Sequence, residues 1–261
     1  MNFHWALRTN TGSDTVEGMS LLSQRLDKSN YKSILLTYFS NSSDNWIKAA
    51  RSVNVSEKIS YMIAIRTYSI SPEYCAMICR SFEEMFPNRL SLNIVHGLIQ
   101  KNEDPLSNLV SPDKRLLSLS GRRSYTKDWL DKFLSMDYGK ANIYLSGNSD
   151  ETRAICNNFN IGHGAGLHKF KKYLSDGNKV INNVEMVAAS ILIRDTDEEA
   201  LSFIQQSSES SMLPWTIYGD EKSVIKQLKD LSELGVTDIM IDKYSDDDEF
   251  YRIDKVVEEW Q

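Results

Sequence analysis

Several features are scarce in this sequence, and each scarcity removes a class of explanation. The three cysteines, Cys75, Cys79 and Cys156, are too few and odd in number for a disulfide scaffold. Cys75 and Cys79 stand four apart, on one face of a predicted helix, and all three read as reduced thiols in or near the core. No CxxC, HxxxH or HExxH spacing joins them to the four histidines, His4, His96, His163 and His168, so neither a structural nor a catalytic metal is expected. No apolar run approaches the roughly 18 residues of a membrane span, and no GxGxxG turn offers a seat for a nicotinamide dinucleotide. Basic charge is also short: the net charge of −6 argues against a general nucleic-acid binder. The opening MNFHWALRTN has one Arg and no apolar stretch behind it, so no signal peptide is expected and the location expected is cytoplasmic. The run Asp246, Asp247, Asp248 and Glu249 reads as the carboxylate-rich start of a helix.

What is present is a rhythm. Short β-branched or aromatic runs alternate with longer segments of helical period, the pattern of βα units around a parallel sheet. Eight such runs stand out: Phe3–Leu7, Ile34–Thr37, Ile59–Ile65, Leu90–Val95, Asn142–Leu145, a weak one at Phe159–Ile161, Val184–Ile193 and Asp238–Ile241. Helix starts are legible at Asp44, at Ser71-Pro72-Glu73, and at Asp195 before TDEEALSFI. Two stretches break the rhythm. The polar segment Gly97–Asp113, with Pro105 and Pro112, reads as a loop over a barrel mouth, and the Ser-rich Gln205–Gly219 as a lid or a linker. Eight units in 261 residues predict one (β/α)8 TIM barrel spanning residues 1–261, with its site at the carboxyl ends of the strands.

Five blocks carry a further likeness. They are YKSILLTYFSNSSDNWIKAA, EKISYMIAIRTYSISPEYCAMICRSFEEMF, NRLSLNIVHG, NIYLSGNSDETRAI and YGDEKSVIKQLKDLSELGVTDIMI, in that order along the chain. Together they resemble the bacterial-luciferase-like flavin monooxygenases, and within them the alkanesulfonate monooxygenase branch. The resemblance implies reduced FMN as cofactor, a separate flavin reductase as partner, a small-molecule or carrier-bound substrate, and a homodimer paired through the helices beside the second and third strands. The apolar helix Pro72–Phe86 carries Cys75, Met77, Ile78, Cys79, Phe82 and Met85 and is the candidate for that pairing.

Residues Ser146, Gly147, Asn148 and Ser149 end a strand and open a helix, where backbone N–H groups and hydroxyls can face an anion. They form a candidate phosphate seat, or else Ser149 is an ordinary N-cap. Tyr125 falls where the resembled family has an Arg-Tyr pair, which implies a hydroxyl reaching the flavin phosphate. The neighbouring Arg122 and Arg123 either add positive charge there or form a solvated turn, the latter being the preferred reading of Arg122. Asn93 sits at a strand's end, facing either the flavin or core partners, and His96 contacts flavin or caps a loop.

The substrate wall departs from the branch. Ala188 and Ser190 stand where it has an Arg and a His, two apart and so on one face of a strand. Ser42 replaces a Cys and His163 a Trp, while Tyr244 matches a Tyr, and the insertion that closes over the flavin is shortened to Gln205–Gly219. Three readings follow: a working monooxygenase, a flavin binder without turnover, and a deazaflavin-dependent oxidoreductase of the same fold.

Overall fold

The computed structural model describes residues 1–7, 15–37, 43–97, 118–170, 185–206, 210–243 and 247–260. All strand pairings are parallel. β1 (Asn2–Leu7), β2 (Tyr31–Leu36), β3 (Ser60–Arg66), β4 (Leu90–Val95), β5 (Asn142–Ser146) and β6 (Gly162–Gly166) follow one another around the wall. β7 (Glu185–Ile193) and β9 (Val236–Lys243) complete it, with β6 paired to β7 and β9 to β1. The result is a closed eight-stranded barrel, a single-domain (β/α)8 TIM fold.

Each strand is buried on both faces, which is why the sequence shows continuous apolar runs rather than strict alternation. In β3, Tyr61, Ile63 and Ile65 pack outward into the layer under the helices, while Met62 and Ala64 turn inward to meet Leu35, Tyr144, Met186 and Met240. The helices are α1 (Val16–Leu26), α2 (Asn45–Ser52), α3 (Pro72–Met85), α4 (Leu119–Leu134), α5 (Asp150–Phe159), α6 (Asp197–Gln206), α7 (Glu221–Glu233) and α8 (Asp247–Glu259). Their starts are set by side-chain caps. Asp44 accepts from the N–H groups of Trp46 and Ile47, and Ser71 from that of Tyr74 ahead of a first-turn Pro72. Among the described residues no helix is long and apolar enough to cross a membrane.

Three readings of strands and helices need correction. The sixth strand is not Phe159–Ile161: Phe159 ends α5, Asn160 closes it in a left-handed turn at φ 53°, and the strand is Gly162–Gly166. A strand reading GHGAG carries no β-branched or aromatic residue, so the nearest apolar side chains drew the assignment away. Next, Gln205–Gly219 is not all linker. Its last residues form a ninth strand, β8 (Thr216–Gly219), paired to the upper half of β7, while residues 207–209 lie outside the described residues. The cap of α6 is the Thr196 hydroxyl, which accepts from Glu199 N–H, and Asp195 instead accepts from Arg252. The carboxylate run does open a helix, α8, and within it Glu249 is buried and accepts from Ile193 N–H and from Arg194. Most of the Gly97–Asp113 loop lies outside the described residues.

At the amino end of the barrel interior, His4 lies between Ser33 Oγ (2.6 Å from Nδ1) and Asp238 Oδ1 (2.7 Å from Nε2), all three buried. Asn2 and Thr237 donate to the same carboxylate, at 3.0 and 2.6 Å. Burial pushes the Asp238 carboxyl up, but these hydrogen bonds outweigh it and hold the group below its ordinary value. Its stabilising contribution is therefore present above the unfolded value of about 4 and is lost as pH falls through the lower, folded value. Urea unfolding across pH is expected to show Asp238→Asn about 2–4 kcal/mol less stable than wild type at pH 7. The gap should close below about pH 4, and a gap independent of pH would show that the carboxylate charge is not what matters.

Candidate functional site

A cavity of about 650 Å3 opens at the carboxyl ends of β2 to β5. Leu35 and Thr37 come from β2, Ala64 and Arg66 from β3, Asn93, Val95, His96 and Gly97 from β4, and Ser146 to Ser149 with Thr152 from the β5–α5 junction. Leu119 and Arg123 of α4 cover it from above. Neither Asp nor Glu is among the described residues of the lining.

The local geometry follows from small residues and short hydrogen bonds. A Cβ at Gly147 would stand 2.8 Å from Thr152 Oγ1, so glycine is what lets this turn lie against the helix it opens. The turn is fastened to β6 at three points. Gly147 N–H donates to Gly164 O at 2.9 Å, His163 Nε2–H donates to Gly147 O at 2.9 Å, and Gly166 N–H donates to Asn148 Oδ1 at 2.8 Å. Ser149 Oγ caps α5 by accepting from Thr152 N–H at 3.1 Å and lies 2.9 Å from Thr152 Oγ1. Ser146 Oγ donates to Asn93 Oδ1 at 2.7 Å, so the buried Asn93 amide has a core partner while also lining the cavity.

His96 joins the two helices that frame this turn. Its Nε2 is 3.1 Å from Thr152 Oγ1 on α5, and its Nδ1 is 3.2 Å from Thr126 Oγ1 on α4. Thr126 in turn lies 3.1 Å from Thr67 Oγ1. Burial, helped by Arg123 and Arg122, lowers the His96 pKa to about 4, so the ring is neutral at pH 7. A neutral imidazole has one donor and one acceptor nitrogen, which lets the hydroxyl chain run in one direction through it. Arg122 is buried and donates to Gly97 O at 3.1 Å, a correction to its reading as a solvated residue. Gly97 has φ +79°, and a Cβ there would strike the Tyr68 ring. Arg123 pairs with Glu151, yet its Nε is buried and has no hydrogen-bond partner among the described residues.

Of the residues singled out from sequence, Asn93, His96, Ser146, Gly147, Asn148 and Ser149 all border this one cavity. Tyr125 does not. It is half-buried against the layer between strands and helices. His163 shares the outward side of Leu145 in the β5–β6 register and serves the turn rather than the lumen. Ser190 is buried on β7, in register with Thr216 and Asp242. Ser42 and Tyr244 lie outside the described residues. Sequence reading missed Thr152 and Thr126 as wall or support, whereas Arg123, read from sequence as able to add charge there, does line the cavity. Thr152 had a signal, a second hydroxyl three residues after a helix cap.

No protein-family model matches the sequence. Solved structures do match over nearly the whole chain. A long-chain alkane monooxygenase, LadA, aligns at TM-score 0.73 and 11% identity, covering 99% of this chain and 90% of that one. The oxygenating constituent of 3,6-diketocamphane monooxygenase from Pseudomonas putida, a structure in complex with FMN, aligns at 0.69 and 12%, covering 99% and 96%. An F420-dependent secondary alcohol dehydrogenase aligns at 0.66 and 13%, covering 100% and 98%. The shared feature is the fold. These structural neighbours are luciferase-like monooxygenases and F420-dependent enzymes, whereas nothing singles out the alkanesulfonate branch among them.

The lowered pKa of His96 has a measurable consequence. Between pH 6.5 and 4 the unfolded chain binds a proton at this residue that the folded chain does not, so stability should fall as pH drops through that window. The full effect is up to about 3 kcal/mol by pH 4. His96→Gln is expected to remove that slope in urea unfolding; an unchanged slope between pH 6.5 and 4 would assign it to other groups.

Proposed function

We propose that this chain is a flavin-dependent monooxygenase that takes reduced FMN, supplied by a separate flavin reductase, and acts on a small organic or carrier-bound substrate. The observation that carries this reading is the anion seat in the barrel mouth. The N-terminus of α5, the paired hydroxyls of Ser149 and Thr152, and the Arg123 guanidinium meet over a turn that Gly147 lets lie close against Thr152. The buried, unpartnered Arg123 Nε is a donor that a phosphate oxygen would satisfy. The donor set therefore fits a flavin phosphate.

When bound, the reduced flavin supplies the electrons and the activation of oxygen. The work left to this chain is binding, orientation and exclusion of water. Thr152 and Ser149 fix the phosphate end, while His96 holds Thr152 in place from behind. Asn93 and Ser146 line the path inward from that seat, and Arg66 lines it at the top of β3. The absence of Asp and Glu from the described lining agrees with a site in which side chains supply no general acid or base. Deazaflavin-dependent hydride transfer is the second reading, favoured by the F420-dependent enzyme among the structural neighbours, and the same seat serves either cofactor.

Riboflavin and FMN separate a phosphate seat from a simple helix cap. Wild type should prefer FMN, and Ser149→Ala, Thr152→Val and Arg123→Gln should each cut FMN affinity roughly tenfold or more while sparing riboflavin. If the variants lose only about 1 kcal/mol of stability and keep the FMN preference, Ser149 is a cap and nothing more. Running an F420-type deazaflavin in the same titration decides between the two cofactors.

A homodimer belongs to the same reading. Cys75, Cys79 and Phe82 of α3 face the core, but Tyr74, Met77 and Met85 are exposed and line a hollow of about 1040 Å3 between α2 and α3 together with the exposed Ile47 of α2. These four are half of the eight large apolar side chains exposed on the described surface, gathered on one face. An apolar patch of that kind fits a second copy of itself about a two-fold axis. Sedimentation at micromolar concentration is expected to give a dimer that Met77→Glu turns into a monomer; a monomeric wild type would end this proposal.

A further inference from the structure

The inward positions of β6 carry no side chain at all: Gly162, Gly164 and Gly166. Tyr144 fills the space at Gly162, and Ser146 and Met186 fill it at Gly164. At Gly166, at the mouth, the filler comes from outside the barrel's own strands. An ideal Cβ there would lie 1.9 Å from Trp215 Cζ3, so the indole is pressed onto the bare backbone where any side chain would exclude it. Trp215 also packs on the His168 ring, centroids 3.9 Å apart. The next residue, Thr216, begins β8 beside Ser190 of β7 and is fully buried, with its Oγ1 donating to Met212 O at 2.9 Å. The indole is thus held at both ends. It sits one residue from the cavity wall, because the N–H of Gly166 is the group that Asn148 binds.

Trp215 therefore lies against the strand position that is in register with Ala188 of β7. Beyond it the inward side chains of β7 are Met186, Ala188 and Ser190, none of them charged. The adjoining strand β9 places Asp242 in register with Ser190. An anionic head group set against Met186, Ala188 and Ser190 would shed its water with no cation among these side chains to receive it. An uncharged apolar or planar group would lie flat on the indole and lose nothing.

We infer that Trp215 is a specificity-determining residue, forming with Ala188 and Ser190 a wall that receives an uncharged, apolar organic substrate. The substrate class rests on the oxygenase reading above, but the wall can be tested without flavin. Binding of 1-octanol and of 1-octanesulfonate is measured by calorimetry on the full chain, with and without FMN. Octanol is expected to bind at least roughly tenfold more tightly than octanesulfonate in both states. Trp215→Ala should lose about tenfold of the octanol affinity, and Trp215→Phe should keep most of it. Gly166→Ala reaches the same contact from the other side. By displacing the indole it should weaken octanol binding and shift that part of the tryptophan emission that Trp215→Phe removes.

Equal or tighter binding of octanesulfonate in wild type overturns the inference, even if every variant fails to fold. So does Trp215→Ala binding octanol as wild type does. Octanol preference without any FMN binding would keep the wall and end the oxygenase reading. FMN binding without octanol preference would do the reverse.

Discussion

The arrangement of the mouth depends on how β7 divides one of its edges. Its first residues, Glu185 to Ala188, pair with β6, and its last, Ser190 to Ile193, pair with β8. Backbone N–H and C=O groups inside a closed barrel need partners, so β7 outrunning the short β6 leaves an edge that something must cover. β8 covers it. That pairing brings the chain back over the top of β6, where a glycine at 166 lets an indole settle. On its other side β6 receives the Gly147–Ser149 turn through three hydrogen bonds, so the proposed anion seat and the indole hang from the same five residues. A strand made of GHGAG looks weak by propensity, yet its missing side chains are what bring these neighbours close.

Electrostatics explains why the polar groups on that seat are neutral hydroxyls and a neutral ring rather than further charges. Arg122 and Arg123 already supply positive potential, and Glu151 offsets part of the latter. A charged imidazole between Thr126 and Thr152 would be buried and would repel both guanidiniums. The amino end of the barrel handles the same ring type differently. There His4 faces a carboxylate that takes hydrogen bonds from three side chains. One histidine serves to close a core, the other to align two helices on a cavity.

Legibility in the sequence followed side-chain chemistry. β1 to β5, β7 and β9 announced themselves because strands buried on both faces must be apolar and β-branched, and the caps at Asp44 and Ser71 because a short polar oxygen before a periodic run has few other uses. β6 was displaced because glycine gives no pattern, and β8 was hidden behind the serines that precede it. Six of the candidate site residues converged on one cavity because strand ends and the following turns are forced to the same end of a parallel barrel. What stayed illegible depended on rotation about a helix. Arg122, Arg123 and Tyr125 lie within a single turn of α4, and one residue of phase decides which is buried, which lines the cavity and which packs on the outer layer.

Backbone and side chain contribute differently to the mouth. The proposed seat depends on backbone: a glycine turn, a helix start and strand ends whose positions are set by closure. The proposed substrate side depends on single inward side chains such as those at 188 and 190, each replaceable without moving a strand, and on whichever segment arrives over β6. Uncharged residues at 188 and 190 fit the barrel, since Ala188 packs against the inner cluster and Ser190 is buried in register with Thr216. The turn at the proposed anion seat is less free to drift. Gly147, Asn148 and His163 are tied to one another and to β6, so a change at any of them moves the turn as a whole. Features that the closure geometry dictates persist, and features that it merely permits are where one such barrel comes to differ from another.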